Sequence, residues 1–301
     1  MEPTVTRLDA TLGAAITGID LAALDGAGWR LVEDAFHEHA LLVFPGQDLS
    51  EEAQIAFASR FGDIEILRGE TEQKAVAISN ENPDGSVVGP EAHRYKNLRG
   101  NEGWHTDSSY MPLAAKASVL AAQIVPAAGG ETEWADMRAA YDALDADTRD
   151  RVADLSAHHS LYASQAKIGY VIEPGAGYGF HTKGAPLRPL VKTHPVTGRK
   201  ALFIGRHAYR VPGLDDGEAQ KLLDELVDFA CQPPRVYAHS WRPGDVIIWD
   251  NRCVLHRARP YDYGEVRVLR HTRVAGDPLS ELAATAADAR AGAFAPSTSN
   301  R

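Results

Sequence analysis

Apolar positions recur along the chain with two periods, and the switches between them mark out its elements. From Val5 to Leu24 short apolar runs broken at Gly13 and Gly18 predict strands. Trp29, Val32, Phe36 and Ala40 then share one helical face, and the compact run Leu41 to Phe44 predicts a strand. Ser50 can cap a second helix that runs to about Phe61, before Gly62 stops it. Ala75 to Ser79 is a further strand. Residues 80–103, rich in Gly, Asn and Pro, predict a long loop that contributes little core.

The second half repeats the alternation. An apolar strand near Ala117 to Val125 leads through a turn at 128–130 to helical segments around Met137 to Leu155. The strongest helix spans about Gly217 to Cys231, where Ala219, Leu222, Leu223, Leu226, Val227 and Ala230 keep helical spacing. Asp215 and Glu218 offer it a capping box. Strands follow at Arg235 to His239, Val246 to Trp249, Cys253 to His256 and Val266 to Val274, with turns at Pro243-Gly244 and Asp250-Asn251. Strands near both ends with helices between them predict a mainly β domain, residues 1–280, whose sheet is closed by distant segments. An Ala-rich tail, 281–301, is expected to be partly frayed.

Composition narrows the partners. A formal net charge of −10 disfavours binding to polyanions, so no nucleic acid is expected. No run of about 18 apolar residues predicts a membrane span, and the N-terminal stretch lacks the pattern of a secretion signal, so a cytoplasmic protein with no membrane partner is expected. Cys231 and Cys253 lack CxxC spacing and read as reduced, half-buried fillers.

The chemistry centres on WHTDSSY at 104–110. In an extended segment His105 and Asp107 point to the same side while Thr106 points away, so both could face one metal. A lone HxD is as easily a turn carboxylate beside a surface histidine. A third ligand from another strand would decide the matter, because two histidines and one carboxylate on one face of Fe(II) leave positions open for a cosubstrate and O2. His256, at the end of an apolar strand, is the natural candidate. On the strand that follows, alternation puts Arg267, Leu269, His271 and Arg273 on one face and Val268, Arg270 and Thr272 on the other. Cations facing a sheet interior call for anions, and a dicarboxylate such as 2-oxoglutarate would supply them. Arg270 and Arg257 read instead as salt-bridged residues on a solvated surface.

WHTD at 104–107, GGET at 129–132, WDNRCVLH at 249–256 and Arg267 together resemble the Fe(II)- and 2-oxoglutarate-dependent dioxygenases related to taurine dioxygenase and 2,4-dichlorophenoxyacetate dioxygenase. The resemblance covers nearly the whole chain. TLGAAITGIDLAAL, ALLVFPGQ, ADMRAAYDALD, PLRPLVKTHP and FIGRHA look most like the aryloxyalkanoate enzymes of the (S)-dichlorprop type. The fold implied is a double-stranded β-helix, or jelly roll, with helices around it. The resemblance makes His105, Asp107 and His256 the iron ligands, with no catalytic side chain beyond the metal centre. Arg267, eleven positions after His256, and Thr132 match the residues that bind 2-oxoglutarate, while Asn101 and Trp104 match positions on the substrate side. Tyr162 falls where the family places a pocket aromatic, and it could equally be a core tyrosine. His207 is open between the same two places.

One departure stands out. Fifteen positions after the distal histidine, where taurine dioxygenase and the 2,4-dichlorophenoxyacetate enzyme carry a second arginine, this chain has His271, with Arg273 two residues on. The partner of the substrate's anion is therefore open between His271 and Arg273. The activity implied couples decarboxylation of 2-oxoglutarate with O2 to hydroxylation of a small anionic substrate. For an aryloxyalkanoate, attack next to the ether oxygen releases a phenol and a 2-oxo acid. A sulfonate, an alkyl sulfate or a natural aryl-ether acid is the alternative, and a jelly-roll sensor that has lost turnover is a reading from another class. Asp107 argues against the halogenating relatives, which need that position vacant. A homo-oligomer is expected. PGAGYGF at 174–180 lacks GxGxxG spacing and reads as a flexible loop. His158, His159, His194 and His239 read as structural or exposed.

Overall fold

A computed structural model describes residues 2–67, 72–175, 177–288 and 290–291. The first half reads out the apolar pattern closely. β1 (Thr4–Arg7) pairs antiparallel with β2 (Ala14–Thr17), and α1 (Gly26–His39) follows. Asp25 caps α1 by accepting from the Gly28 N–H at 2.7 Å, and Ala40 ends it in the left-handed region at φ 60°. Next come β3 (Leu41–Phe44), α2 (Glu51–Ser59), β4 (Ala75–Ser79) and α3 (His93–Gly100). The Ser50 hydroxyl caps α2 as expected, but the helix ends at Ser59, short of Phe61. α3 is a correction: it lies inside the stretch read as loop, where only Leu98 and Gly100 are buried, too little apolar signal to mark a helix.

β5 (Ala115–Ile124), β6 (Thr132–Asp136), α4 (Met137–Asp142), α5 (Ala146–Val152), β7 (Ser156–His159) and α6 (Leu161–Ala166) form the middle of the chain. They are followed by β8 (Ala185–Pro189), β9 (Val191–Thr193), β10 (Lys200–Leu202), β11 (Ala208–Arg210) and α7 (Asp216–Ala230). α7 carries the predicted capping box, with Glu218 N–H donating to Asp215 at 2.8 Å and Asp215 N–H to Glu218 at 3.4 Å. The chain continues through β12 (Val236–His239), β13 (Val246–Asp250), β14 (Val254–Ala258) and β15 (Val268–Ala275), then α8 (Pro278–Glu281) and β16 (Thr285–Ala286). Of the tail expected to fray, Glu281 is buried and β16 pairs with β8. Residues 292–301 lie outside those described. Among the described residues no helix is long and apolar enough to cross a membrane.

The fold is sheet-rich with helices against it. A seven-stranded sheet runs β1-β2-β3-β13-β5-β15-β4, so the first strands of the chain are completed by β13 and β15 from its last third. A three-stranded sheet, β12-β6-β14, lies across from it. Alternation along β13 explains the layering. Ile247 and Trp249 enter a core shared with Trp134, Ala135, Val254 and Leu255 of β6 and β14, whereas Val246 and Ile248 enter a second core under α1 and α2 with Phe36, Phe57 and Phe61. Both sheet faces are thus buried, which is why β13 reads as an unbroken apolar run.

The same layering overturns the solvated-surface reading of Arg270. α2 packs on the outer face of β15, so Arg270 is buried, donating through Nε to Gln54 Oε1 at 2.8 Å and through Nη2 to the Leu49 carbonyl. Arg257 does pair at the half-exposed surface, with Glu133 at 2.6 Å. Cys253 is buried and Cys231 half-buried, both as free thiols. His194, Asp250 and Cys253 also cluster, but Arg252 holds the Asp250 carboxylate at 2.8 and 2.6 Å while His194 Nε2 lies 3.0 Å from it, so that cluster is a satisfied part of the core.

Candidate metal centre

His105 and His256 are more than 150 positions apart in sequence and meet through backbone pairing. An isolated antiparallel bridge joins them: His105 N–H donates to His256 O at 2.9 Å, and His256 N–H returns the bond at 2.7 Å. The pairing sets the two imidazoles side by side, ring centres 4.1 Å apart. Asp107, two residues on, joins them from the same side, so one ligand atom from each of the three lies within 4.8 Å of the others. Thr106 turns the other way, its hydroxyl donating to Asn251 O at 2.7 Å. Alternation in the extended segment also removes Trp104 from the cavity. It sits in the core with the Arg257 guanidinium 4.5 Å above its ring, which corrects its expected place on the substrate side.

The protonation states suit a divalent transition metal. His105 Nδ1 lies 2.7 Å from the Gly103 carbonyl, which can only accept, so the proton is on Nδ1 and the Nε2 lone pair is bare. Burial pushes the His105 imidazole down to about 4 against the opposing pull of Asp107. Burial likewise holds His256 well below its ordinary range, helped by His105, His271 and Arg273. Burial opposes ionisation of Asp107, but Arg273 and the imidazoles of His256 and His271 outweigh it and keep the carboxyl far down. Two neutral imidazoles and one carboxylate therefore converge near neutral pH. Ser118 Oγ donates to Asp107 Oδ2 at 2.6 Å and fixes its plane.

A cavity of about 420 Å³ opens from these three residues. Arg267, just before β15, and Leu269, His271 and Arg273 of β15 line it, as the alternation predicts. Arg267 is buried, and its guanidinium donates to the Gly130 carbonyl at 2.9 and 3.2 Å and to no carboxylate among the described residues. Thr132 lines the same region. Its Oγ accepts from Trp241 Nε1 at 2.9 Å, which leaves its own O–H free to donate. At the other end of β15, Arg273 donates to Asp107 Oδ1 at 3.1 Å and Ser108 Oγ at 2.9 Å and lies 3.6 Å from Glu65 Oε2. His271 stacks on Trp249, with Nε2 at 3.5 Å from Asp107 Oδ2 and without a hydrogen bond.

The remaining wall comes from α3, α6, the 174–180 loop and Arg206–His207. Asn101, at the end of α3, lines the cavity. On α6 the lining residues are Leu161 and Gln165, one turn apart. Tyr162 is rotated away, packs on Ile172 and Phe180, and donates to His181 O at 3.3 Å, so it is a core residue. His207 does line the cavity, beside Arg206. The loop 174–180 supplies Gly177, Tyr178 and Phe180 to the lining, where a merely flexible loop was expected. Tyr178 OH donates to Glu65 Oε2 at 2.6 Å and sits 2.8 Å from Ser108 Oγ. An aromatic pair among glycines was the one signal that could have flagged this loop. Arg206 carried no signal beyond standing next to His207.

Comparison with known proteins finds similar chains over most of the sequence. The family described as "Taurine catabolism dioxygenase TauD, TfdA family" matches residues 4–274. The (S)-phenoxypropionate/alpha-ketoglutarate-dioxygenase of Sphingobium herbicidovorans is 53% identical over 285 residues, spanning 93% of this chain and 97% of the relative. A protein of the same name from Delftia acidovorans is 52% identical over 287 residues, with the same coverage of each chain. Among solved structures, that of AAD-2 in complex with Mn(II) and N-oxalylglycine superposes with a TM-score of 0.83 at 37% identity, covering 92% of this chain and 98% of that one.

Proposed function

The chain belongs to the taurine catabolism dioxygenase TauD, TfdA family and is a 2-oxoglutarate-dependent oxidoreductase; on that premise we propose that it hydroxylates aryloxyalkanoates, in particular (S)-2-aryloxypropionates, through Fe(II) held by His105, Asp107 and His256. The observation that carries the reading is the convergence of two neutral imidazoles and an ionised carboxylate on a cavity that also contains Arg267, an arginine with no carboxylate partner among the described residues. The donor set fits the metal. Two nitrogens and one oxygen on one side leave the other coordination positions to cosubstrate and O2. The seven-stranded and three-stranded sheets that enclose the cavity are read as the two walls of a jelly roll.

When bound there, Fe(II) with 2-oxoglutarate and O2 supplies the oxidising power that replaces a substrate hydrogen by hydroxyl. The protein's part is positioning. Arg267 offers the planar donor fork that a carboxylate accepts, and Thr132 offers its O–H to the same group, which orients 2-oxoglutarate across the site. Arg273 and Ser118 hold the two oxygens of Asp107, so the ligand carboxylate keeps one orientation. Leu161, Leu269, Ile78 and Phe180 give the cavity an apolar side suited to an aryl ring. Hydroxylation at the carbon next to the ether oxygen gives a hemiketal, which collapses to a phenol and a 2-oxo acid. We read the protein as a cytoplasmic enzyme with a small-molecule partner.

Anaerobic addition of Fe(II) and 2-oxoglutarate should produce a weak visible charge-transfer band that His105→Ala abolishes. Aerobically, succinate and phenol should form with (S)-2-aryloxypropionates ahead of taurine and alkyl sulfates. Preference for taurine would sink the substrate assignment.

A further inference from the structure

Three arginines line the cavity, and their counter-charges divide them. Arg273 already lies against two carboxylates, Asp107 at 3.1 Å and Glu65 at 3.6 Å. Arg267 lines the cavity together with Thr132 and is read as the 2-oxoglutarate receptor. Arg206 is left, and no carboxylate pairs with it among the described residues. Burial lowers it to about 10, with only Tyr110 acting the other way, so it is a cation at neutral pH.

Its setting is a built one. Nη1 donates to the Gly100 carbonyl at the end of α3, and Nη2 donates to the Ser164 carbonyl of α6 at 2.9 Å. These two carbonyls fix the plane of the guanidinium, and its further N–H groups remain to donate into the cavity. Gly103 allows the approach: a Cβ there would meet Arg206 Cδ at 3.0 Å. Leu161 and Gln165 of the same α6, with Phe180, form the adjoining wall. A cation whose orientation is set by the backbone, with the Gln165 amide beside it and Leu161 and Phe180 beyond, matches a ligand with a carboxylate at one end and an aryl ring at the other.

We propose that Arg206, rather than His271 or Arg273, is the receptor for the substrate's carboxylate. The inference rests on the aryloxyalkanoate reading above and refines it. Arg273 is then a positioning residue that holds Asp107, and His271 remains a neighbour of the metal ligands. With its carboxylate on Arg206, the substrate lies along α6, and its ring rests on Leu161 and Phe180.

The test measures binding and turnover of an (S)-2-aryloxypropionate and of its neutral primary amide with wild type, Arg206→Gln, Arg206→Lys and Arg273→Gln. In Arg206→Gln the acid should bind about 10²-fold more weakly, and the preference for acid over amide should collapse. Arg206→Lys should recover part of it, since the charge remains and the fork is lost. Binding of 2-oxoglutarate to each variant, read from the charge-transfer band, reports whether the site is still assembled. If Arg206→Gln keeps the acid-over-amide preference while Arg273→Gln loses it, the carboxylate sits on Arg273 and the proposal is overturned. If Arg206→Gln no longer assembles the site, the Lys variant decides: an acid preference equal to wild type overturns the proposal and a reduced one supports it. If wild type itself binds neither ligand, the aryloxyalkanoate reading fails, which is distinguishable from failure of Arg206 alone.

Discussion

Arg267, just before β15, and Arg273, near its far end, carry the same side chain on the same face in opposite surroundings. At one end, Arg273 is wedged between Asp107 and Glu65, and its charge is already answered inside the protein. At the other, Arg267 is buried with its guanidinium on the Gly130 carbonyl and pairs with no carboxylate among the described residues. Burying an uncompensated cation is unfavourable, so folding tolerates Arg267 only because backbone oxygens partly solvate it. An incoming carboxylate would remove that residual deficit. An arginine in a pocket is thus a structural tie or a ligand receptor according to its partners, and charge alone does not tell which.

Substitution at the answered end should have the larger effect on the protein itself. Arg273→Gln strands the buried Asp107 carboxylate and should lower stability of the metal-free protein by about 3–5 kcal/mol. Added Fe(II) or Mn(II) should restore more of the melting temperature in this variant than in wild type, because the metal takes over the lost counter-charge. Equal metal-induced shifts in thermal melting would break the comparison.

Acid should act on the same end, with a smaller effect. His105 takes up a proton only near 4 when folded but near 6.5 when unfolded. Its contribution to stability is therefore present above about 6.5 and is lost as pH falls toward 4, on the order of 3 kcal/mol for this residue. His256, held down in the same way, adds in the same direction. Denaturant melts of metal-free protein between pH 7 and 4 should show this slope, and a flat profile would refute the neutral-imidazole account.

Arg267→Gln should do least to the fold and most to the cosubstrate. Losing the bonds to Gly130 O should cost about 1 kcal/mol of stability. KM for 2-oxoglutarate should rise about 10²-fold. Stability loss matching that of Arg273→Gln would erase the distinction between the two ends.

Much of this was legible from pattern. The strand limits at Leu41–Phe44 and Ala75–Ser79, the capping box at Asp215 and Glu218, and the facing of Arg267, Leu269, His271 and Arg273 all follow from side-chain period and cap chemistry. Trp104 was equally legible: the alternation that brings His105 and Asp107 together sends Trp104 and Thr106 to the other side. α3, Arg270 and Tyr178 were not, because each depends on what another segment covers.

Local sequence determined which residues share a face, because the two backbone periods are properties of a few neighbouring residues. It therefore specified the HxD pair and the cationic face of β15. Only the tertiary structure decided that the His105–His256 bridge brings a third candidate ligand to the pair, that Glu65 and Asp107 neutralise Arg273, and that Arg206 lines the cavity with no carboxylate paired to it among the described residues. Those outcomes depend on which distant segments supply charge and cover, and charge compensation acts through space between residues that no local period relates.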